Sequence, residues 1–271
     1  MRVSGKLFHA LGLAVVVVFT LFPFFWMVAA SFKTQADILA TPPVWFFTPT
    51  LQNYQEIFAD SKVIGAIGNS LLIATATTAL AVLLGAPAAF ALARYEFRGK
   101  SDLWFWFISN RMTSPIVLAL PVYLLAMQAN LLDTHIVLIL IYLTFNLPIV
   151  VWICTDQFKS IPADLEQAAR LDGADQFTIF RKIYLPLAAP GIAVSAIFSF
   201  IFSWNELLYA LVLTRRAAQT APVVATSFMS GYELPWGKIM AAGTVIVLPV
   251  TIFALLVSRH MVRGLTMGAT K

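Results

Sequence analysis

Five stretches of this chain run for 20 residues or more without a formal charge: Leu7–Phe32, Val63–Ala93, Ile136–Thr155, Ile183–Asn205 and Ile239–Ser258. A sixth, Leu103–Asn130, is interrupted only by Arg111. A helix needs about 20 apolar residues to cross a ~30 Å hydrocarbon core. The pattern therefore predicts an all-α membrane protein, one domain over residues 1–271, with six transmembrane helices centred near residues 20, 78, 116, 146, 197 and 249. Composition agrees, because 60% of the residues are hydrophobic and 11% charged, against about 25% charged in soluble domains. The period-two alternation of a membrane barrel is absent.

The positive-inside rule orients the spans. With the N-terminus in the cytoplasm, the inner segments hold Arg2, Lys6, Arg94, Arg98, Lys100, Lys159, Arg170, Arg181, Lys182, Arg259, Arg263 and Lys271. The outer segments hold Lys33, Lys62, Arg215, Arg216 and Lys238. Twelve against five predicts both termini inside, as an even number of spans requires. The first apolar run is too long for a signal-peptide core and lacks a clear small-x-small cleavage site, so a retained helix is expected. Gly12, Gly65, Gly68 and Gly85 are expected to let helices approach closely.

Enzyme signatures are missing. His9, His135 and His260 are dispersed, and Cys154 is the only cysteine, so neither a metal cluster nor a disulfide is expected. Gly99-Lys100-Ser101 approaches a phosphate loop, but the glycine required five positions earlier is Arg94. No cofactor is expected on the chain, and nucleotide, if it drives the protein, must bind another subunit. The basic residues flank apolar blocks rather than forming a nucleic-acid patch, so no nucleic-acid partner is expected.

The segment 156–184 is the most informative. Pro162 suits a first helical turn, and Asp164 and Glu166 complement the helix dipole there. Leu165, Ala168, Ala169 and Leu171 form a short apolar stripe, and Gly173 is a natural stop. A second short helix ending in Arg181 and Lys182 then feeds the fifth span through Pro186. Two helices hinged at a glycine predict a compact cytoplasmic protrusion.

Here a resemblance becomes specific. Gln167-Ala168-Ala169, three residues, Gly173, nine residues and Ile183-Tyr184-Leu185-Pro186 resemble the EAA loop of ABC-importer permeases. Ala88–Arg94 with Phe97–Lys100, Leu120–Tyr123 and Trp204-Asn205-Glu206 resemble the maltose-type carbohydrate-uptake subfamily, in particular its smaller six-helix permease partner. The resemblance implies a type I importer subunit in the bacterial inner membrane, moving a sugar, sugar derivative, polyol or short oligosaccharide inward by alternating access. It implies a second homologous permease, two ATPase subunits holding ATP and Mg, and an extracytoplasmic solute-binding protein. The coupling element between helices 4 and 5 would comprise Glu166, Gln167, Ala168, Ala169, Asp172 and Gly173. The usual first glutamate of the motif is Gln167 here, so either Glu166 takes over the ATPase contact or Gln167 makes a neutral hydrogen bond.

Other residues carry paired readings. Arg111, about 12 Å into its span at 1.5 Å per residue, either contacts cargo or makes a structural pair. Trp204, Asn205 and Glu206 either meet sugar hydroxyls and a pyranose face or form a helix break and cap. The segment Arg215–Lys238, with Tyr232, Pro235 and Trp236, is either a solvated connector or, as the resemblance implies, a face toward the binding protein. Two other classes stay open: an ion-coupled secondary transporter, which would show paired intramembrane acids in matched halves, and an intramembrane enzyme, which would need a deep nucleophile and base. An importer permease for a non-sugar solute is a further alternative.

Overall fold

In a computed structural model of the chain, which describes residues 2–229 and 234–267, every regular element is helical and no strand occurs among the described residues. The order is α1 (Arg2–Ser31), α2 (Gln35–Leu39), α3 (Gln52–Ala59), α4 (Ser61–Arg94), α5 (Lys100–Asn110), α6 (Pro115–Gln128) and α7 (His135–Lys159). Then come α8 (Ala163–Leu171), α9 (Gln176–Ile179), a π-helical turn Phe180–Tyr184, α10 (Leu185–Trp204), α11 (Leu208–Leu213), α12 (Ala221–Ser227) and α13 (Trp236–Met267). Five helical stretches are long and apolar enough to cross a membrane: His9–Ser31, Ser61–Arg94, His135–Lys159, Gln176–Trp204 and Trp236–Phe253.

The span expected near residue 116 is not one helix but two, α5 and α6, separated by Arg111–Ser114. Proline disfavours helical geometry in the residue before it, and Ser114 is extended (φ −67°, ψ 125°) with Pro115 opening α6. Prolines inside other helices do not break them. Pro148 sits within α7, where its missing N–H leaves the Thr144 carbonyl without its helical donor. The Asn110 side chain supplies one at 2.9 Å, the kind of local rescue that lets membrane helices keep their prolines.

The chain forms two compact units, one of Met1–Gly65 with Val224–Leu248 and one of Ala66–Val223 with Pro249–Lys271. In the first, the end of α1 is tied to the segment that follows. Lys33 is only 3% exposed. Its ammonium donates to the Val44 carbonyl at 2.6 Å and lies 4.7 Å and 4.9 Å from the Trp26 and Phe47 ring centres, so carbonyl and ring faces replace the water it loses. Asn53 donates to the Ser31 and Lys33 carbonyls at 2.9 Å each. Its side chain lies against Gly237, where an added Cβ would clash with it. Glu56 and Lys238 form an ion pair of 2.6 Å beside it.

The second unit holds the main core. Gly85 brings α4 onto α7, where a Cβ would lie 2.7 Å from Val150. Gly191 does the same between α10 and Gln157 of α7. The buried faces are small and polar as well as apolar: Asn146 donates to Ser203 at 2.9 Å and to the Tyr142 carbonyl at 2.8 Å. Small residues and interhelical hydrogen bonds are what drive packing where lipid removes the hydrophobic incentive. Of the four glycines expected at close contacts Gly85 has one, whereas among the described residues nothing lies within 4 Å of a Cβ placed on Gly12, Gly65 or Gly68.

Candidate functional site

The loop between α7 and α10 folds from its own sequence signals. Asp164 and Glu166 occupy the first turn of α8, where they meet the positive end of the helix dipole. At the other end Gly173 takes φ +82°, a left-handed conformation that costs a side-chain-bearing residue about 1–2 kcal/mol. Gly173 N–H donates to the Arg170 carbonyl at 3.1 Å and Ala174 N–H to the Ala169 carbonyl at 2.9 Å, the paired bonds of a glycine-terminated helix. Asp175 then caps α9 by accepting Thr178 N–H at 3.1 Å. Hydrogen bonds from the Thr178 side chain, and then from its backbone N–H, hold the Asp175 carboxyl below the ordinary range.

Glu166 faces inward. Its carboxylate accepts from Arg170 at 2.7 and 3.2 Å on one oxygen and from the Tyr184 hydroxyl at 2.8 Å on the other, leaving its side chain 13% exposed. Burial pushes the carboxyl up, but the Arg170 and Tyr184 hydrogen bonds and the charges of Arg170 and Arg94 outweigh it, so the group lies below its ordinary value. The Arg94 guanidinium stacks 4.7 Å from the Tyr184 ring centre and donates to the Ile161 carbonyl. The Tyr95 hydroxyl and the Gln176 side-chain amide are hydrogen-bonded, with the amide nitrogen as donor and its oxygen facing Arg170. Beneath these polar ties, Phe90 contacts the rings of Tyr184, Phe180, Tyr95 and Phe158 at 4.8, 5.0, 5.8 and 5.9 Å. The loop is thus seated on an aromatic base shared by α4, α7 and the π turn.

The opposite side of the loop is open. Gln167, Ala168, Asp172 and Gly173 are exposed and Ala169 is half-buried. Leu165 and Phe177 are also exposed, and Leu171 is 89% exposed. This side of the loop therefore sets exposed apolar side chains beside small residues. Of the two adjacent acidic and amide residues, the structure turns Glu166 toward the scaffold and Gln167 away from it.

The remaining candidates are scattered. Trp204 is 1% exposed and stacks on Phe200 with ring centres 5.8 Å apart. Asn205 donates back to the Ile201 carbonyl at 3.0 Å. Glu206 accepts Tyr209 N–H at 3.0 Å and Ala210 N–H at 3.2 Å, capping α11. This triplet is engaged in ending one helix and starting the next. Arg111 stands at the α5–α6 break, and it and Trp204 line different cavities. Pro235 and Trp236 are half-buried at the start of α13; Tyr232 lies outside the described residues.

One organising residue has no counterpart among the sequence candidates. Asp133 (φ +58°) accepts N–H donors from Arg215, Arg216, Ala217 and Ala218 at 2.9–3.1 Å. Desolvation pushes its carboxyl up, but the four backbone donors prevail and hold it at about 2. Asn69 locks the same turn by donating to the Ala217 and Gln219 carbonyls, with its own oxygen 2.8 Å from His135 Nε2. The only sequence signal was a lone acid in a short connection between two spans.

Residues 81–267 match the family of binding-protein-dependent transport system inner membrane components. The chain is 42% identical to a trehalose transport system permease protein, SugB, of Mycobacterium tuberculosis, over 94% of each chain. It is 33% identical to a trehalose/maltose transport system permease protein, MalG, of Thermococcus litoralis, covering 100% of this chain and 98% of that one. Its fold is similar to a chain in the crystal structure of a bacterial ABC transporter involved in import of the acidic polysaccharide alginate, with a TM-score of 0.74 and 22% identity over 95% and 96% of the two chains.

Proposed function

We propose, from the premise that this chain belongs to the family of binding-protein-dependent transport system inner membrane components, that it is a permease subunit of an ATP-driven ABC importer for a sugar or related carbohydrate. The observation that carries the reading is the loop 163–184, braced through Glu166 and the Phe90 aromatic base on one side and open through Gln167, Ala168 and Leu171 on the other. A non-catalytic subunit driven from outside needs such an element: a surface for the driver and a stiff joint behind it. In this reading Gln167, Ala168, Ala169, Asp172 and Gly173 meet the ATPase, Gln167 through a neutral hydrogen bond, and Glu166 holds the element in shape. The carbohydrate cargo rests on the names of the relatives above.

The rest of the arrangement follows. Counting α5 and α6 as one broken span gives six crossings, with both termini cytoplasmic and α8 on the cytoplasmic side, in agreement with the distribution of lysine and arginine. A second homologous permease completes the route, two ATPase subunits dock below, and a solute-binding protein docks outside near Tyr232, Pro235 and Trp236. The chain sits in a bacterial inner membrane as one permease domain.

An affinity pull-down from gently solubilised native membranes, read by mass spectrometry, tests the reading. Recovery of an ATPase and a second permease is the expected result. A subunit that comes out alone even after crosslinking overturns it and moves an ion-coupled transporter to the front.

A further inference from the structure

The break between α5 and α6 sits where lipid does not tolerate one. The apolar part of α5 begins at Leu103, after Lys100 and Asp102, so Arg111 lies about 12 Å along it, well inside a ~30 Å core. There Arg111, Met112, Thr113 and Ser114 are all exposed, and Ser114 offers no side-chain cap to the start of α6. Irregular backbone at membrane depth persists where it is covered by protein or faces water. The cation adds an independent constraint, because a charge at this depth faces a bundle interior or an aqueous path. Among the described residues no carboxylate lies within ion-pair distance of Arg111. Its guanidinium makes, among the described residues, one long contact, 3.4 Å to the Phe145 carbonyl, and lies 4.9 Å from the Phe202 ring centre. Most of its five N–H donors are therefore unused. The Thr144 carbonyl freed by Pro148 is already served by Asn110, so the α7 proline does not account for Arg111.

Around the guanidinium lies a groove of about 450 Å³ walled by Trp104, Phe107, Trp152, Phe198 and Phe202. Its chemistry is one cation set among ring faces. Aromatic faces suit the apolar side of a pyranose, and a guanidinium pairs with a carboxylate through two parallel hydrogen bonds. We infer that the break lines the aqueous route and that Arg111 with these rings forms a transient subsite for acidic sugars, the pyranose against the rings and its carboxylate on the guanidinium. The inference rests on the importer reading above and narrows its cargo.

The test places a reporter beside the subsite and leaves Arg111 intact. Thr113→Cys is introduced into the full importer, purified with its partners in nanodiscs; Cys154 is buried, and the unsubstituted protein measures its background. Labelling by 2-sulfonatoethyl methanethiosulfonate and by its trimethylammonium analogue is followed by mass spectrometry, with and without nucleotide. The expected result is reaction in at least one nucleotide state, with the anionic reagent favoured about tenfold over its ratio on a free thiol. Arg111→Gln should abolish that preference. Glucuronate should slow labelling where glucose does not, and only while Arg111 is present. No labelling in any state overturns the aqueous route. Labelling without charge preference, or equal protection by glucose and glucuronate, overturns the acidic-sugar subsite. Failure of the importer reading would show earlier and separately, as partners that never co-purify.

Discussion

Replacing Gly173 isolates what the loop's shape contributes. A Cβ at this position would meet nothing within 4 Å, so a substitution changes backbone preference with little change in packing inside the chain. The native φ is +82°. Asparagine visits this region readily, alanine pays about 1–2 kcal/mol there, and proline is held near −65° and loses its N–H. Gly173→Pro therefore removes the 3.1 Å bond to the Arg170 carbonyl and forbids the turn itself, a cost of about 3 kcal/mol or more. A penalty of about 1.4 kcal/mol depletes the native loop about tenfold relative to a distorted one. Uptake and ATPase activity in proteoliposomes, normalised to subunit abundance, should fall in the order Gly, Asn, Ala, Pro. The proline variant should still insert in the membrane and yet fail to couple hydrolysis to uptake. Normal uptake by Gly173→Pro would refute the coupling role. Equal loss in Asn, Ala and Pro would mean that a partner surface excludes any side chain at 173, and the conformational argument would fall.

Two further outcomes are expected. Glu166→Gln should lower the melting temperature of the detergent-solubilised subunit, because it weakens the bonds to Arg170 and Tyr184 by about 1–2 kcal/mol, whereas Gln167→Ala should leave melting unchanged and reduce ATPase co-purification; the reverse pattern would exchange their roles. Asp133 should support the turn 215–218 at neutral pH. Its native value of about 2 against an ordinary 3.8 corresponds to at most about 2.4 kcal/mol, nearer 1–2 after solvent screening. A carboxyl held low stabilises above its unfolded value, so protection of these amides from hydrogen exchange should hold above pH 3.8, fade as pH falls toward 2, and be several-fold weaker and pH-independent in Asp133→Asn.

The sequence and the fold agree where one physical signal dominates and part where two compete. Long uncharged runs locate α1, α4, α7, α10 and α13, because in lipid a helix is the economical way to pair every backbone group within one segment. Gly173 was legible for a similar reason: a glycine after a short amphipathic helix has few other uses. The broken span was not, since counting apolar residues weighs Leu103–Asn130 as a whole. The local cue was present in Arg111-Met112-Thr113-Ser114 followed by Pro115. Proline alone did not give it away, for Pro87, Pro121, Pro148, Pro190 and Pro249 all lie inside helices. The orientation of Glu166 was also hidden. Neighbouring residues on a helix point about 100° apart, and which one faces inward depends on Tyr184, 18 residues later. Asp133 escaped because its four donors lie more than 80 residues downstream.

The continuity of the second unit gives the loop mechanical consequence. α9 passes into α10 through the π turn with no non-helical residue between them, so a displacement of α9 has no slack segment in which to dissipate, and α8 is tied to the same turn through the Glu166–Tyr184 bond. The Phe90 rings and the Arg94–Tyr184 stack bind the same turn to α4. Gly191 seated on Gln157 and Asn146 bonded to Ser203 bind α10 to α7 along their lengths. Close-packed interiors resist gradual shear and move between discrete arrangements. At its far end α10 stops at Asn205, and Glu206 restarts the chain as α11 by holding two amides. A push at α8 would thus travel through α10 to a capped joint, with α7 and the Phe90–Arg94 end of α4 carried along. Under the importer reading, the aromatic groove around Arg111 has walls on α5, α7 and α10. Two of those walls are the helices tied to the loop, which is where a cargo contact must lie if nucleotide-driven movement is to change its affinity.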